Sequence, residues 1–373
     1  MIDKKIKRVS VSIEYDDGSG IVRNMDVGAL RGGDNPHQKG YAGTHGYNII
    51  RPGRGMSLTN HLDLIGYAAA LELSETMKDF GDERIEAVVV NKHTIPAVYA
   101  VDQKQCVALE TSMIYDSKSP FGGVLCTSSP LTMETAEYLK QLRIENGFTL
   151  DVIASPGFEE GAVEHLVDEG EKKEKMFNAR VVDLSKLKTI DDVCYGIGGF
   201  NITFGIGGNP ILTEIDSATF YNRGHKMEVL SQTKPTKNEM IDAHLAWIGA
   251  KYIRSNSFAF VKDGALVAEC GGQTNREDSA KFALERAAEF RNDVSGSMSA
   301  TDSFLFDSKA LGTLNVAEVK GVVHPTRKDM TTGSLKPDEE IVKIADAYSM
   351  VLLRPRLVDS DGSETPWRVF KHL

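Results

Sequence analysis

The chain has 373 residues, of which 41% are hydrophobic and 26% charged, a balance typical of a globular protein with room for two domains. The formal charge of −10 argues against a general nucleic-acid-binding protein. No apolar run of about 18 residues occurs, and no apolar segment follows the charged start M-I-D-K-K-I-K-R, so we predict neither a membrane span nor a secretory signal. The four cysteines are far apart and lack a zinc-type spacing, so we expect thiols in a reducing cytoplasm.

The first half of the sequence predicts helices that alternate with short strands. After a β-rich lead-in and a loop rich in glycine, Ser57 or Thr59 caps a helix that we expect to continue to about Lys78. The further predicted elements are a strand at 85–90, a helix at 105–114, a strand in F-G-G-V-L-C, a helix at 132–146, and a strand, loop and helix in L-D-V-I-A-S-P-G-F-E-E. This alternation indicates a layered α/β protein.

One predicted strand, V-V-V-N-K-H-T-I-P-A-V, carries Lys92 and His93 side by side. Neighbouring side chains in a strand point to opposite faces, so the two can serve one site only if the strand ends or bulges there. The segment Thr94-Ile95-Pro96 predicts such an end, because proline interrupts regular pairing. Taken alone, the pair is more often a strand tip exposed to solvent than a site.

Residues 166–235 differ from the rest of the chain. They hold a charged run, E-G-E-K-K-E-K, and two glycine-rich patches, G-I-G-G-F and G-I-G-G-N, that fit no nucleotide-binding pattern and favour turns or bulges. The second half then repeats the order of the first, with a helix capped by Thr236 or Asn238, a hairpin turning at Lys262-Asp263-Gly264, and further helices and strands. We therefore predict a first lobe at 1–165, a connector at 166–235 and a second lobe at 236–373.

Nine segments in order resemble one family, the aminoimidazole carboxamide ribonucleotide (AICAR) transformylase domain of the bifunctional purine-biosynthesis proteins. They are L-R-G-G-D-N-P-H-Q (30–38), S-L-T-N-H-L-D (57–63), V-N-K-H-T-I-P (90–96), S-P-F-G-G (119–123), Q-T-K-P-T-K-N-E-M (232–240), A-K-Y-I-R-S-N-S (250–257), G-G-Q-T-N-R (271–276), A-T-D-S-F (300–304) and W-R-V-F-K-H (367–372). One such motif would be weak, whereas nine in order across the chain are specific.

The resemblance implies a fold, a reaction and an assembly. The expected fold is α/β, with two cytidine-deaminase-like three-layer α/β/α lobes joined by the connector. The implied reaction is formyl transfer from 10-formyltetrahydrofolate, a co-substrate, to the 5-amino group of AICAR, without zinc or another metal. The family is a homodimer with active sites shared between subunits. Its usual IMP cyclohydrolase domain does not fit before Leu30, so we expect a stand-alone transformylase and a separate cyclohydrolase.

The chemistry of formyl transfer explains the residues that the resemblance places at its centre. The amine of AICAR is a weak nucleophile, so a base must take its proton, and charge on the formyl oxygen needs a donor or a cation. The resemblance assigns His93 as the base, with Lys92 beside it to disfavour the imidazolium and to meet negative charge. Asn256 matches an asparagine that can donate to the oxyanion, although by itself it could simply start a hairpin.

Seven further positions match substrate-binding residues of the family. They are Arg31, Asn60, Gly122, Asp151, Arg276, Phe304 and Arg368. The resemblance gives the first and last of these to the nucleotide phosphate, which a guanidinium fork suits, and the others to the nucleotide or the pocket lining. Without the motifs, Asp151 could be a cap at a strand edge and Phe304 a core residue. We interpret His37 as stabilising a turn rather than as catalytic.

The sequence also departs from the family pattern. Gly32 replaces an aromatic residue, Val98 replaces a glycine, and F-L-F-D at 304–307 is compressed, so that Phe306 and Asp307 have no clear counterpart. The segment T-R-K-D-M-T-T-G-S-L-K-P is longer than usual, and S-D-G-S-E-T-P is inserted before Trp367. These differences fall mostly where the pterin and the base would bind.

Two other functions compete with formyl transfer. A zinc deaminase of related fold would need H-x-E and P-C-x-x-C, which the sequence lacks. The alternative is a repurposed, non-catalytic homologue that binds a purine nucleotide intermediate. Retention of Lys92, His93 and Asn256 together favours an enzyme over that alternative.

Overall fold

The fold is known from a computed structural model, which describes residues 9–14, 22–29, 41–42, 46–53, 55–167, 179–194, 200–204, 210–214, 226–305, 308–325, 339–358 and 364–365. Its helices are α1 (Leu58–Asp63), α2 (Gly66–Asp79), α3 (Gln105–Tyr115), α4 (Met133–Asn146), α5 (Ala162–Val167), α6 (Ile190–Cys194), α7 (Lys237–Tyr252), α8 (Arg276–Phe290), α9 (Lys309–Val316) and α10 (Glu339–Ala347). No helix in these ranges is long and apolar enough to cross a membrane.

The strands form one large mixed sheet and two small ones. They are β1 (Val9–Glu14), β2 (Val22–Ala29), β3 (Tyr41–Ala42), β4 (Asn48–Arg51), β5 (Glu86–Lys92), β6 (Ile95–Asp102), β7 (Val124–Thr127), β8 (Val152–Ser155), β9 (Arg180–Asp183), β10 (Phe200–Phe204), β11 (Pro210–Glu214), β12 (Lys226–Val229), β13 (Phe258–Lys262), β14 (Ala265–Cys270), β15 (Met298–Thr301), β16 (Gly321–Val323), β17 (Val351–Val358) and β18 (Glu364–Thr365). The predicted α/β class is confirmed.

The large sheet has an internal repeat. From its centre outward, the strand order is β6-β5-β7-β8-β9-β4 on one side and β14-β13-β15-β16-β17-β12 on the other. Each series starts with an antiparallel hairpin, continues with parallel strands and ends with an antiparallel edge strand. The repeated order expected from the sequence is therefore present. The two series meet where β6 pairs with β14 through Ala100 and Ala265.

Helices cover both faces of this sheet. The alternating apolar strand residues explain why: Val89 belongs to the core under α2 and α7, while Val88 and Val90 belong to a core on the opposite face with α3, α4 and α5. In the second half, Phe260 and Val322 pack under α8, α9 and α10. The result is three layers, α/β/α, with the cores of the two halves continuous beneath α2 and α7.

The single helix predicted from Ser57 to Lys78 is wrong in one respect. Ser57 does cap α1, in a reciprocal capping box with Asn60, but the helix stops at Asp63 and restarts at Gly66. A Cβ on Gly66 would lie 2.9 Å from the side chain of Asn91, so α2 packs closely on β5 where it begins. The break leaves Asp63 at a helix end, facing the next hairpin.

The region predicted as a connector contributes to the large sheet at two places. β9 pairs in parallel with β8, and β12 pairs antiparallel with β17. β10 and β11 form a separate hairpin. Both glycine-rich patches lie almost wholly outside the described residues. The division at 165 and 235 stays a prediction.

Candidate functional site

Lys92 and His93 lie at the reversal of the β5–β6 hairpin. β5 ends at Lys92, His93 and Thr94 form the turn, and Lys92 pairs with Ile95. The predicted end of the strand at Lys92 and His93 is therefore confirmed, but the cause expected for it is wrong: Pro96 lies inside β6 opposite Asn91, next to a bulge after Val90, a position that proline tolerates. Because the chain reverses immediately after Lys92, the two side chains are no longer held to opposite faces of a strand.

The Lys92 side chain is tied to the loop before β7. Its Nζ donates to the carbonyl of Phe121 at 2.7 Å, next to Gly122. An ammonium has three N–H donors, so two remain for other acceptors. The imidazole of His93 is exposed. Gly122 has φ +74, and no heavy atom lies within 4 Å of where its Cβ would be, so a ligand can approach the backbone there.

The side chain of Asp63 is hydrogen-bonded to the backbone of the hairpin turn. Its Oδ1 accepts from the Thr94 N–H at 2.5 Å and its Oδ2 from the His93 N–H at 3.3 Å. The carboxylate is buried, and burial raises its pKa, against which the two backbone hydrogen bonds act. The motif S-L-T-N-H-L-D contains Asp63, but the sequence did not indicate its contact with the turn, which lies 30 residues away in the chain.

Asn60 and Asp151 lie together, one helical turn from Asp63. Asn60 Nδ2 donates to Asp151 Oδ2 at 3.2 Å. Buried Arg180, at the start of β9, has Nη1 3.6 Å from that oxygen and donates from the same nitrogen to the Asp151 carbonyl at 3.2 Å. Its Nε donates to the carbonyl of Gly55. Asp151 is thus more than a strand-edge cap, and Arg180, which carries no motif, is a residue that sequence reasoning missed.

In the second half, Asp302 binds the predicted residue Arg276 and the two serines on either side of the predicted residue Asn256. Asp302 Oδ2 accepts from Ser255 Oγ at 2.6 Å and from Arg276 Nη2 at 3.2 Å, and Oδ1 accepts from the Ser257 N–H at 2.7 Å. Asn256 Nδ2 donates to the Gln273 carbonyl at 2.9 Å, which leaves its second amide hydrogen for another acceptor. Asp302 is almost fully buried, and nothing in the motif A-T-D-S-F indicated this role.

A hydrogen bond joins the residues around the β5–β6 turn to the segment that precedes Asn256 in the second half. Arg254, just before Asn256, donates from Nη2 to Thr94 Oγ1 at 3.2 Å. Phe304 follows Asp302 by two positions and is half-buried, so it is not simply a core residue. The structure thus brings Asn60 and Asp151 into contact, places Gly122 beside the Lys92 contact, and joins Arg276 to Asp302. Asn256 and Phe304 are near Asp302 through their chain neighbours. Arg31, Arg368, His37, Phe306 and Asp307 lie outside the described residues.

Among the residues that the structure describes, the thiols and possible metal ligands add no further site. Cys126 is buried, and Cys106 and Cys270 are half-buried, free thiols. Within the described ranges, no three His, Cys, Asp or Glu side chains are grouped so that they could hold a metal ion.

Comparisons with known proteins match this chain to one family. The family described as AICARFT/IMPCHase bienzyme matches residues 5–286. The chain is 29% identical over 334 residues to the bifunctional purine biosynthesis protein PurH of Chlorobaculum parvum. It is 28% identical over 333 residues to the PurH of Persephonella marina. Each alignment covers 87% of this chain and 57% of the relative, so the chain spans little more than half the length of these curated relatives.

Proposed function

Since the chain belongs to the AICARFT/IMPCHase bienzyme family, we propose that it transfers the formyl group of 10-formyltetrahydrofolate to the 5-amino group of AICAR. The observation that carries this proposal is the position of Lys92 and His93 at the reversal of a hairpin, next to a glycine whose backbone is open to a ligand. The segments that resemble the transformylase part of the family supply most of the residues around that turn.

In the proposed reaction, the amine nitrogen of AICAR attacks the formyl carbon while His93 takes a proton from that nitrogen. The formyl oxygen gains negative charge in the tetrahedral intermediate. Lys92 has two N–H donors beyond the one given to Phe121, and Asn256 has one amide hydrogen beyond the one given to Gln273. These donors can stabilise the oxyanion. The bond to N10 then breaks, and the proton held by His93 passes to N10 of the departing tetrahydrofolate.

Substrate positioning is proposed for the residues around the turn. The Asn60–Asp151 pair, braced by buried Arg180, offers fixed donors and acceptors to the nucleotide. Arg276 lies beside Asp302 at the amino end of α8, and half-buried Phe304 follows Asp302 by two positions; both are proposed to line the substrate pocket, on the resemblance. Arg31 and Arg368 are proposed to bind the phosphate, on the resemblance alone.

The lobes and the assembly are part of the same proposal. The repeated strand order supports two related lobes, for which the cytidine-deaminase-like fold is proposed. A homodimer with active sites shared between subunits is also proposed, because the catalytic candidates are divided between the two halves of the chain. A symmetric dimer would complete two such sites with one self-complementary surface.

The test is direct. Purified protein is mixed with AICAR and 10-formyltetrahydrofolate, and tetrahydrofolate and formyl-AICAR are quantified by liquid chromatography. We expect the two products in equal amounts and no tetrahydrofolate without AICAR. Binding of AICAR without turnover, measured by calorimetry, would instead identify a non-catalytic nucleotide-binding homologue.

A further inference from the structure

We propose that Asp63 is the positioning residue for the Lys92–His93 hairpin: its carboxylate holds the turn in a conformation that the turn's own residues disfavour. The catalytic consequence of this role rests on the proposed function. The structural part, a turn that depends on a distant carboxylate, does not.

The turn itself has the wrong residue types for its shape. His93 has φ 56 and Thr94 has φ 67, and positive φ at both central residues defines the type I′ turn of tight hairpins. That turn favours Asn-Gly or Asp-Gly. A β-branched residue such as Thr94 is strained at positive φ, because its Cβ substituents crowd the backbone. Local sequence therefore does not explain why the chain reverses here.

Asp63 supplies what the local sequence lacks. Its two carboxylate oxygens each accept one of the two N–H groups of the turn, at 2.5 Å from Thr94 and 3.3 Å from His93. The carboxylate is only 3% exposed, so water competes little for these N–H groups. Hydrogen bonds from backbone N–H groups to a carboxylate are among the stronger ones in proteins. These two hydrogen bonds offset the strain of the turn and fix the backbone position from which the His93 side chain projects.

The second half of the protein contains the same arrangement, a buried carboxylate that accepts both N–H groups of a hairpin turn, at a turn for which no catalytic role is proposed. Asp263 and Gly264 occupy the positions of His93 and Thr94, with φ 53 and φ 85, and the bulge in β13 falls at the same distance before the turn. Their N–H groups donate to the carboxylate of Asp242, each at 2.9 Å. Asp-Gly suits a type I′ turn without help. The two hairpins therefore form a matched pair, in which only the first depends strongly on its carboxylate.

Loss of the carboxylate should move the catalytic side chains. Asn at position 63 keeps the size but can accept only one of the two N–H groups, and its amide nitrogen would face the other. With one hydrogen bond fewer to offset the strain at Thr94, the turn relaxes to another conformation, and His93 and Lys92 move with it. A displacement of about 1 Å in a reacting group can lower turnover by about 100-fold. Binding of the nucleotide, which the proposal gives to other residues, should change little.

Four variants of the full chain test this: Asp63→Asn, Thr94→Gly, the double variant, and Asp242→Asn as the matched control. Steady-state kinetics give kcat and the KM for AICAR, thermal unfolding gives Tm, and hydrogen exchange gives the protection of the His93 and Thr94 amides. We expect Asp63→Asn to lower kcat by about 10- to 100-fold with KM changed less than about threefold, and to speed exchange at the turn. Asp242→Asn should leave kcat at the wild-type value whatever its effect on Tm.

The double variant separates positioning from general destabilisation. Glycine relieves the strain at positive φ, so the double variant should recover kcat to within about threefold of Thr94→Gly alone, with exchange slowed again. Wild-type kcat in Asp63→Asn, an equal loss in Asp242→Asn, or no recovery in the double variant would each overturn the proposal. If the wild-type protein forms no product, the proposed function fails, and turn exchange in the same four variants still decides the role of Asp63.

Discussion

Arg254 and Thr94 belong to different halves of the chain, and Arg254 donates from Nη2 to Thr94 Oγ1 at 3.2 Å. Thr94 follows His93, and Arg254 precedes Asn256 by two positions. The contact therefore places a segment of the second half beside the His93–Thr94 turn of the first. It also defines the arrangement that competes with a shared site, in which one chain supplies both His93 and Asn256.

Mixing of inactive subunits distinguishes these arrangements. His93→Ala and Asn256→Ala, each nearly inactive alone, are unfolded and refolded together. If sites are shared between subunits, each mixed dimer has one site with both lesions and one intact site. With random mixing about half of the dimers are mixed, so activity should approach about a quarter of the wild-type value. Differently tagged subunits purified in tandem show that mixed dimers form. No recovery in such dimers would place both residues in one chain's site.

Loss of the proposed base should lower turnover but not nucleotide binding. We expect His93→Ala to reduce kcat by about 10²- to 10⁴-fold, because the amine of AICAR would no longer lose its proton to a positioned group. Lys92→Ala should be similarly damaging. Lys262→Ala, at the equivalent place in the second hairpin, is the matched control and should keep full activity. Calorimetry with AICAR checks binding, and a wild-type rate in His93→Ala would remove it from the base role.

We predict that the burial of Glu269, in β14, makes the unfolding free energy of the protein depend on pH. This carboxyl lines a cavity together with Tyr115, Asp116 and Arg286. Burial raises its pKa to about 7, with Arg286 acting to lower it and Asp116 to raise it. The folded-state pKa lies above the ordinary value of 4.5, so the folded protein favours the protonated carboxyl. The stabilisation that results is complete below about pH 4.5 and is lost as the pH rises through about 7.

Glu269→Gln removes that ionisation. We therefore expect the variant's unfolding free energy, relative to wild type, to be higher at pH 8 than at pH 5 by about 1–2 kcal/mol. Urea unfolding at the two pH values measures it. Glu285→Gln, at an exposed position of α8, is the control for the loss of a carboxylate as such. A relative stability of Glu269→Gln that is the same at both pH values would contradict the raised pKa.

A buried ion pair connects the helices α2 and α7. Lys251 Nζ lies 2.8 Å from Glu72 Oε2, the Tyr252 hydroxyl donates to the same oxygen at 3.1 Å, and the side chains of Lys251 and Glu72 are 7% and 2% exposed. Lys251→Met leaves the Glu72 carboxylate buried without its cation, so we expect a loss of about 3–5 kcal/mol. The double change Glu72→Leu with Lys251→Met should cost less, because no uncompensated charge stays buried. Urea unfolding of Lys251→Met, Glu72→Leu and the double variant checks this, and additive effects would show that the pair is not coupled.

Local sequence was enough wherever the signal and the structure lie in the same few residues. Thr236, one of the two caps predicted from the sequence, starts α7, and the structure adds a capping box with Glu239. The turn at Asp263-Gly264 was predicted for the same reason, since those residue types suit positive φ. The alternation of helices and strands, and its repeat in the second half, follow from hydrophobic periodicity and also predicted the α/β class.

The tertiary structure alone decided how the candidate site is held. His93-Thr94 carries no hairpin signal, and the carboxylate that accepts both N–H groups of this turn belongs to Asp63, at the end of α1 and about 30 residues away in the chain. Asp302 and Arg180 show the same dependence, because each is defined by partners far away in the chain. Sequence by itself determined which residue types are present and which local turns and caps they favour. Long-range packing decided which of them meet, because a buried carboxylate must find its N–H donors wherever the fold brings them.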